Sequence, residues 1–113
     1  MPLQDHINTI LFRLCADVQT LFPGGEVESI LFGSYARGEE QPDSDLDVLL
    51  LVNESRETIS KRNWQIGDLA AEYLLDYGVV VSPIVENRSY FYNNTDVLPF
   101  YRNIQREGVR IRA

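Results

Sequence analysis

The sequence has few of the residues that build disulfide scaffolds, membrane spans or secretion signals. Its single cysteine, Cys15, cannot form a disulfide within the chain. No apolar run approaches the length of about 18 residues that a membrane span needs. The N-terminal residues lack the basic region and the apolar core of a signal peptide. These absences predict a soluble protein of the reducing cytoplasm that does not associate with membranes.

Basic residues are also in the minority. The chain has 10 Lys and Arg residues against 17 Asp and Glu residues, which gives a net charge of −7 and an isoelectric point near 4.5. A surface that binds nucleic acid needs clustered Lys and Arg side chains, because these displace the counterions of the phosphates. We therefore expect no direct binding of DNA or RNA.

The charges that are present separate along the chain. Acidic residues crowd positions 39–47, whereas arginines concentrate in the last twelve residues. The acidic segment would attract a metal ion. We expect the basic segment to be a solvated surface, or else to contact a phosphate or an acidic partner.

Two segments show the spacing of apolar residues by three and four positions that is typical of amphipathic helices. The first runs from Asp5 to Phe22 and the second from Glu54 to Tyr77, and we expect a third and last helix from Asp96 to Glu107. Ser55 or Thr58 is available to cap the second helix, and a glycine follows both the second and the third. The aromatic residues of the second helix share helical spacing and are expected in the core: Trp64, Tyr73 and Tyr77.

Short runs of apolar or β-branched residues predict strands at Val27–Phe32, Leu46–Val52 and Val79–Val85, and Val109–Ile111 is a candidate fourth. The second run is apolar almost throughout, which indicates a strand covered on both faces. Pro83 favours an edge position or a bulge for the third. The order of elements predicts an α/β (α+β) fold, with helices packed on a small mixed β-sheet. At this length we expect a single domain over residues 1–113.

A glycine and a serine follow the first strand directly. Gly33 leaves room for a phosphate to approach the backbone, because it has no Cβ. Ser34 supplies a hydroxyl and a backbone N–H at the start of a helical turn, expected over 34–37, where free donors attract anions. Gly33 and Ser34 are therefore candidate triphosphate-binding residues.

Two aspartates follow after a fixed interval of ten residues. Asp45 and Asp47 stand two apart where a strand begins, so their side chains point to the same side. Paired carboxylates are hard oxygen ligands of the kind that Mg²⁺ prefers. Asp47 also opens a buried strand, where a carboxylate is costly unless a cation or a donor satisfies it.

Each motif alone is usually a plain turn or a polar loop. A Gly-Ser followed at this spacing by Asp-x-Asp arises by chance on the order of once in a thousand chains of this size. The combination therefore predicts a site for Mg²⁺ and a nucleoside triphosphate. Arg37, close by, either neutralises a phosphate or pairs with Asp43 or Glu39.

The pattern Gly33-Ser34, ten residues, Asp45-x-Asp47 resembles the signature of the minimal nucleotidyltransferases, the MNT proteins of the DNA polymerase beta-like nucleotidyltransferase superfamily. The resemblance extends from the first helix to residues 103–109. In HEPN/MNT toxin–antitoxin pairs, members of this family act as antitoxins. The resemblance implies nucleotide binding by Gly33, Ser34 and Arg37, with Asp45 and Asp47 as catalytic acids and metal ligands.

The resemblance further implies a reaction, a cofactor and a partner. AMP would be transferred from ATP, with Mg²⁺ as cofactor, to a tyrosine of a HEPN-domain ribonuclease toxin. The superfamily usually adds a third carboxylate from a later strand, but the matching run Val79–Val85 contains no acid. Val80 and Ser82 are its expected equivalents, and Glu86 shares their face only if the strand stays regular through Pro83.

The missing acid leaves more than one function open. The first hypothesis is a protein adenylyltransferase that inactivates its toxin, and the alternative is a catalytically weak binding protein that masks the toxin. Transfer to a small hydroxyl compound is disfavoured, because such enzymes carry a further domain for the acceptor. The aromatic run Tyr90-Phe91-Tyr92 is either a partner-binding surface or a small second core.

Overall fold

The computed structural model of the chain describes the backbone of residues 3–111 and the side chains of residues 6–111. These residues form five helices and four strands. In chain order they are α1 Leu3–Leu21, β1 Glu28–Phe32, α2 Ser34–Arg37, β2 Leu46–Val52, α3 Arg56–Tyr77, β3 Val81–Asn87, α4 Arg88–Asn93, α5 Pro99–Glu107 and β4 Val109–Ile111. No helix within 3–111 is long and apolar enough to cross a membrane.

The four strands form one mixed sheet in the order β3-β2-β1-β4. β1 pairs antiparallel with both β2 and β4, whereas β2 and β3 are parallel. A parallel pair needs a crossover between its strands, and α3 provides it. The predicted mixed α/β architecture is confirmed, and so is the edge position of the strand that contains Pro83.

Both faces of β2 are covered, as its apolar sequence predicts. On one face, called here the α1/α3 face, side chains from β2 pack against α1 and α3: Leu46, Val48, Leu50 and Val52. On the other, the α4/α5 face, Leu49 and Leu51 pack with residues from β1, α4 and α5: Ile30, Phe91 and Ile104. Because side chains alternate along a strand, the parity of a residue in β2 decides which face it occupies.

The ends of α3 follow the predicted signals. The Ser55 side chain accepts a hydrogen bond from the Thr58 backbone N–H, so Ser55 is the N-cap and the helix begins at Arg56. Gly78 ends the helix with a φ of 68°, in the left-handed region that glycine adopts without strain.

The prediction that Trp64 lies in the core is wrong. Tyr73 is fully buried and Tyr77 packs at the core boundary, but Trp64 is 66% exposed. The three residues share a helical stripe only loosely, because a step of nine from Trp64 to Tyr73 is half a turn out of phase. Trp64 therefore lies on the outer side of α3.

The segment after β3 contains a helix that was not predicted and a last helix that begins later than predicted. The aromatic run at 90–92 forms a short helix, α4, capped by the Asn87 side chain, which accepts from the Tyr90 N–H. Phe91 is fully buried against the sheet, so the run forms the second core rather than an open surface. The last helix begins at Pro99 rather than Asp96, because proline fits the first turn of a helix.

Candidate active site

The two aspartates lie at the start of β2, in the middle of the sheet. Asp47 has Phe32 of β1 and Ser82 of β3 as its strand partners. Its parity is that of Leu49, so it points to the α4/α5 face. The Ser82 hydroxyl donates a hydrogen bond to Oδ2 of Asp45 over 3.4 Å. Ser82 is thus adjacent to both carboxylates.

Gly33 lies directly beside Asp47. Its φ of 75° and ψ of −154° belong to a region that is essentially restricted to glycine. A Cβ built on Gly33 would overlap Oδ2 of Asp47. The turn from β1 into α2 can therefore approach the carboxylate this closely only with glycine at position 33. Gly33, Ser34 and the aspartates, predicted as one site, lie together where β1 ends and β2 begins.

The surroundings of Asp47 disfavour the charge of its carboxylate. Burial raises the pKa of Asp47 above the ordinary value, and the neighbouring Asp45 raises it further. Arg37 acts in the opposite direction and lowers the Asp47 pKa, but it is the smallest of the three influences. The pair therefore carries negative charge that the surrounding side chains do not fully offset.

This donor set fits a divalent cation that completes its ligands from elsewhere. Mg²⁺ is commonly held by one or two carboxylates together with substrate phosphates and waters. Within residues 6–111, no group of three or more His, Cys, Asp or Glu side chains could hold a metal ion. Asp45 and Asp47 could hold such a cation only together with ligands from a bound molecule or from water.

Arg37 lies at the rim of the site, at the end of α2. Its Nε is 3.3 Å from a carboxylate oxygen of Glu39, and a terminal nitrogen is 3.8 Å from Glu107 of α5. The pairing with Glu39 was one of the predicted alternatives, whereas Asp43 makes no ion pair with Arg37 among the described residues. Solvent-exposed pairs of this kind contribute little free energy, so Arg37 is able to turn towards a phosphate.

The β3 strand brings no third acid to the carboxylates. Val80 and Ser82 are the two residues expected in place of the missing acid. Of these, Ser82 lies opposite Asp47. Val80, the other, lies one residue before β3 and is half exposed, and its carbonyl accepts from the Leu46 N–H. At the position expected for the third acid, the chain therefore has a hydroxyl group.

Glu86 is held elsewhere. The pairing of β2 and β3 is unbroken through Pro83, so Glu86 has the same parity as Ser82. It lies four residues further along, however, a distance of about 13 Å. Its buried carboxylate accepts hydrogen bonds from Arg56, from the Tyr101 hydroxyl and from the Asn87 N–H. Glu86 is accordingly a structural acid.

An aromatic wall, which the sequence analysis did not single out, stands beside the carboxylates. Phe32 is the strand partner of Asp47, and the ring of Phe100 in α5 meets the Phe32 ring edge to face, with centroids 5.6 Å apart. Phe100 is 48% exposed. The strand pattern could indicate only that Phe32 lies at the end of β1, near the site. Phe100 comes close to the site only through the packing of α5 on the sheet.

A cavity of about 650 Å³ lies away from this site, at the opposite end of β1. Glu28 lines it together with Arg88 and Arg110, and both arginines pair with the Glu28 carboxylate, at 3.5 and 2.7 Å. The charges in that cavity are thus already matched. Asp45 is exposed and Asp47 is partly exposed, so a large substrate can reach both carboxylates.

Comparison with known proteins agrees with this arrangement. Residues 13–110 match the nucleotidyltransferase domain family. Three proteins of Methanocaldococcus jannaschii, each named "Putative protein adenylyltransferase", are also similar. The protein MJ0141 is 35% identical over 95 residues, which cover 84% of this chain and 88% of that protein. MJ0604 is 39% identical over 79 residues, which cover 70% of this chain and 71% of that protein.

The family match spans the strands that position the aspartates, the glycine turn between β1 and β2, and the serine of β3. The chain therefore belongs to the family of nucleotidyltransferase domains.

Proposed function

We propose that the chain transfers AMP from ATP to a hydroxyl group of a partner protein, in a reaction that depends on Mg²⁺. The observation that carries the proposal is the contact between Gly33 and Asp47. It places the turn from β1 into α2 directly against a carboxylate pair that lacks sufficient positive charge. The phosphates of a nucleotide complement the turn, and a divalent cation complements the charge of the carboxylate pair.

Each residue of the site has a proposed role in binding the nucleotide or the metal ion. Gly33 and Ser34 hold the triphosphate through the backbone and the Ser34 hydroxyl, and Arg37 exchanges an exposed carboxylate for a phosphate oxygen. Asp45 and Asp47 hold Mg²⁺, which when bound supplies positive charge to the triphosphate. The acceptor oxygen bonds to the α-phosphorus as the bond to pyrophosphate breaks, and the hydroxyl proton is released to water.

The acceptor is proposed to be a tyrosine of a HEPN-domain ribonuclease toxin, which makes the chain an antitoxin. Two observations support a protein acceptor. The relatives MJ0141 and MJ0604 carry names that describe protein adenylyltransferases. Asp45 is also exposed and Asp47 partly exposed, so a side chain on another protein can reach them.

A second function is supported by the position opposite Asp47. Ser82 is a poor ligand for Mg²⁺, and without a third acid the acceptor hydroxyl loses positioning that is worth several kcal/mol in such reactions. In this alternative the chain binds nucleotide, transfers AMP slowly or not at all, and neutralises the toxin by masking it.

Mass spectrometry separates the two functions. The chain is mixed with its toxin, ATP and Mg²⁺, and we expect a mass increase of one AMP on a toxin tyrosine. Asp45→Asn and Asp47→Asn should abolish the increase, because each removes charge that holds Mg²⁺. If no adduct forms while the ribonuclease is still suppressed, masking is the function.

The rate of transfer should respond to position 82. Ser82→Asp adds the missing carboxylate opposite Asp47, so we expect faster AMP transfer at saturating Mg²⁺. Ser82→Asn is the matched control, since it has nearly the same shape without the charge. Equal rates for the Asp and Asn variants would mean that position 82 does not supply the missing ligand.

A further inference from the structure

We infer that Phe100 forms the wall on which the adenine base of the nucleotide stacks. This inference rests on the proposed function, because it assumes that the phosphates lie at Gly33 and the aspartate pair. It adds a binding residue from α5, an element that contributes nothing else to the nucleotide.

The first step is distance. Asp47 and Phe32 are partners on neighbouring strands, and the Phe100 ring lies on Phe32. Only the ribose separates the α-phosphate of a nucleotide from its base. A nucleotide whose α-phosphate lies at Asp47 must therefore place its base within reach of the side chains that border the carboxylates.

The second step is the character of those side chains. On the α2 side the border has the polar residues Ser34, Arg37 and Glu39, because the aromatic residue of α2, Tyr35, packs against the core of the α1/α3 face. On the α5 side it is aromatic. Three aromatic side chains within residues 6–111 are substantially exposed, and two of them, Phe12 and Trp64, lie on α1 and α3, which cover the opposite face of the sheet. Phe100 alone of these three shares the face of Asp47.

The third step is rigidity. Phe100 is followed by Tyr101, whose hydroxyl donates to the buried Glu86 over 2.7 Å. One turn later Ile104 is buried against Ile30 and Leu49. The start of α5 is thus fixed at two points, and the edge-to-face contact with Phe32 supports the ring. A preorganised ring loses little conformational entropy when a base stacks on it.

Stacking on a single ring gives affinity without strict base selection, because every base has a π-face. We expect purine triphosphates to bind more tightly than pyrimidine triphosphates, since the larger ring system stacks over more area. Inorganic tripolyphosphate has no base and should be indifferent to the residue at position 100.

The experiment compares two variants and two ligands by calorimetry in the presence of Mg²⁺. Phe100→Leu keeps an apolar side chain against Phe32 but removes the π-face. It should weaken ATP binding about tenfold, in line with base–aromatic stacking energies, and leave tripolyphosphate binding unchanged. Phe12→Leu is the matched control, because Phe12 is 49% exposed and lies on the other side of the sheet. It should change neither affinity.

Two results would overturn the inference. One is ATP binding by Phe100→Leu with wild-type affinity; if the KM for the toxin is raised at the same time, Phe100 contacts the acceptor instead of the base. The other is an equal loss for ATP and tripolyphosphate, which would indicate a general disturbance of the site. Failure of the wild-type chain to bind either ligand would refute the proposed function itself.

Discussion

Gly33 is the residue whose substitution the structure constrains most tightly. Its backbone conformation strains any other residue by about 1–3 kcal/mol, and a Cβ would push the Asp47 carboxylate from its position. We expect Gly33→Ala to lower the free energy of unfolding by that amount and to abolish Mg²⁺-dependent ATP binding. Thermal unfolding and calorimetry measure the two effects.

Gly67 provides the control for this substitution. It lies within α3, and a Cβ at this position would meet no atom within 4 Å. Gly67→Ala should therefore stabilise the protein by up to about 1 kcal/mol, through helix propensity, without changing ATP affinity. Normal ATP binding by a folded Gly33→Ala variant would contradict the geometry of the turn.

Asp47 is expected to lower the stability of the free protein. Burial and the neighbouring Asp45 raise its folded-state pKa. The protein is therefore more stable while Asp47 is protonated, and this stability is lost as the pH rises through that pKa. At neutral pH Asp47→Asn should therefore raise the Tm. Asp47 is partly exposed, and solvent screening limits the gain to about 0.5 kcal/mol, or about 2–3 °C.

The pH dependence and Mg²⁺·ATP provide the checks on Asp47→Asn. The difference in Tm between variant and wild type should vanish as the pH falls below about 4, where the wild-type carboxyl is also protonated. Mg²⁺·ATP should raise the Tm of the wild type but not that of the variant, because binding to the folded state stabilises it. A variant less stable than the wild type at pH 7 would show that the carboxylate is stabilising.

Single residues of the site were predictable where local chemistry fixes them. Gly33 and the aspartates are specified by a turn that only glycine tolerates and by the period of a strand. The partners of Arg37 were harder, since Glu39 is two residues away whereas Glu107 reaches it only through the packing of α5. The position of Glu86 depended on whether Pro83 interrupts β3, which the sequence left open.

Among the elements, α5 is held to the sheet by a buried polar contact. The Tyr101 hydroxyl donates to Glu86, and Glu86 also accepts from Arg56 at the start of α3. Burial and then the bond to Glu86 raise the pKa of Tyr101, so it remains a donor at physiological pH. One carboxylate thus joins β3, α3 and α5.

Removal of this hydroxyl should loosen α5. Tyr101→Phe leaves the buried carboxylate without one of its donors, and we expect the free energy of unfolding to fall by about 1.5–3 kcal/mol, the range for hydrogen bonds to charged groups. Denaturant titration measures the change. Tyr90→Phe is the control, because the Tyr90 ring lies over Arg56 but its hydroxyl makes no hydrogen bond with the described residues. Equal losses in the two variants would mean that ring packing, not the hydroxyl, is responsible.

The elements that the sequence predicted best are those with strong local signals. α3 has a capping serine and a terminal glycine, and β2 has an apolar run too short for a helix. α4 was not foreseen, because six residues give no helical period and the Asn87 cap is recognisable only once β3 is known to end there. Its aromatic residues fit a core or a surface equally well until α4 is placed on the sheet.

At the scale of the whole molecule, the site results from the order of the strands. β1 ends where the antiparallel β2 begins, and the parallel β3 begins at the same end of these strands. The site therefore brings together the glycine turn, the aspartate pair and Ser82, although nearly fifty positions separate Gly33 from Ser82. The spacing in the sequence predicted the glycine turn and the aspartate pair as one site. The position of Ser82 could be known only from the pairing of β2 with β3.

The exposure of Trp64 has a consequence for optical measurements. It is the chain's single tryptophan, and its indole is surrounded largely by water in the folded state, as it would be in the unfolded chain. Its fluorescence emission should therefore be red-shifted from the start and should change little on denaturation. For the same reason, a blue shift on mixing with another protein would report directly that the outer side of α3 has been covered.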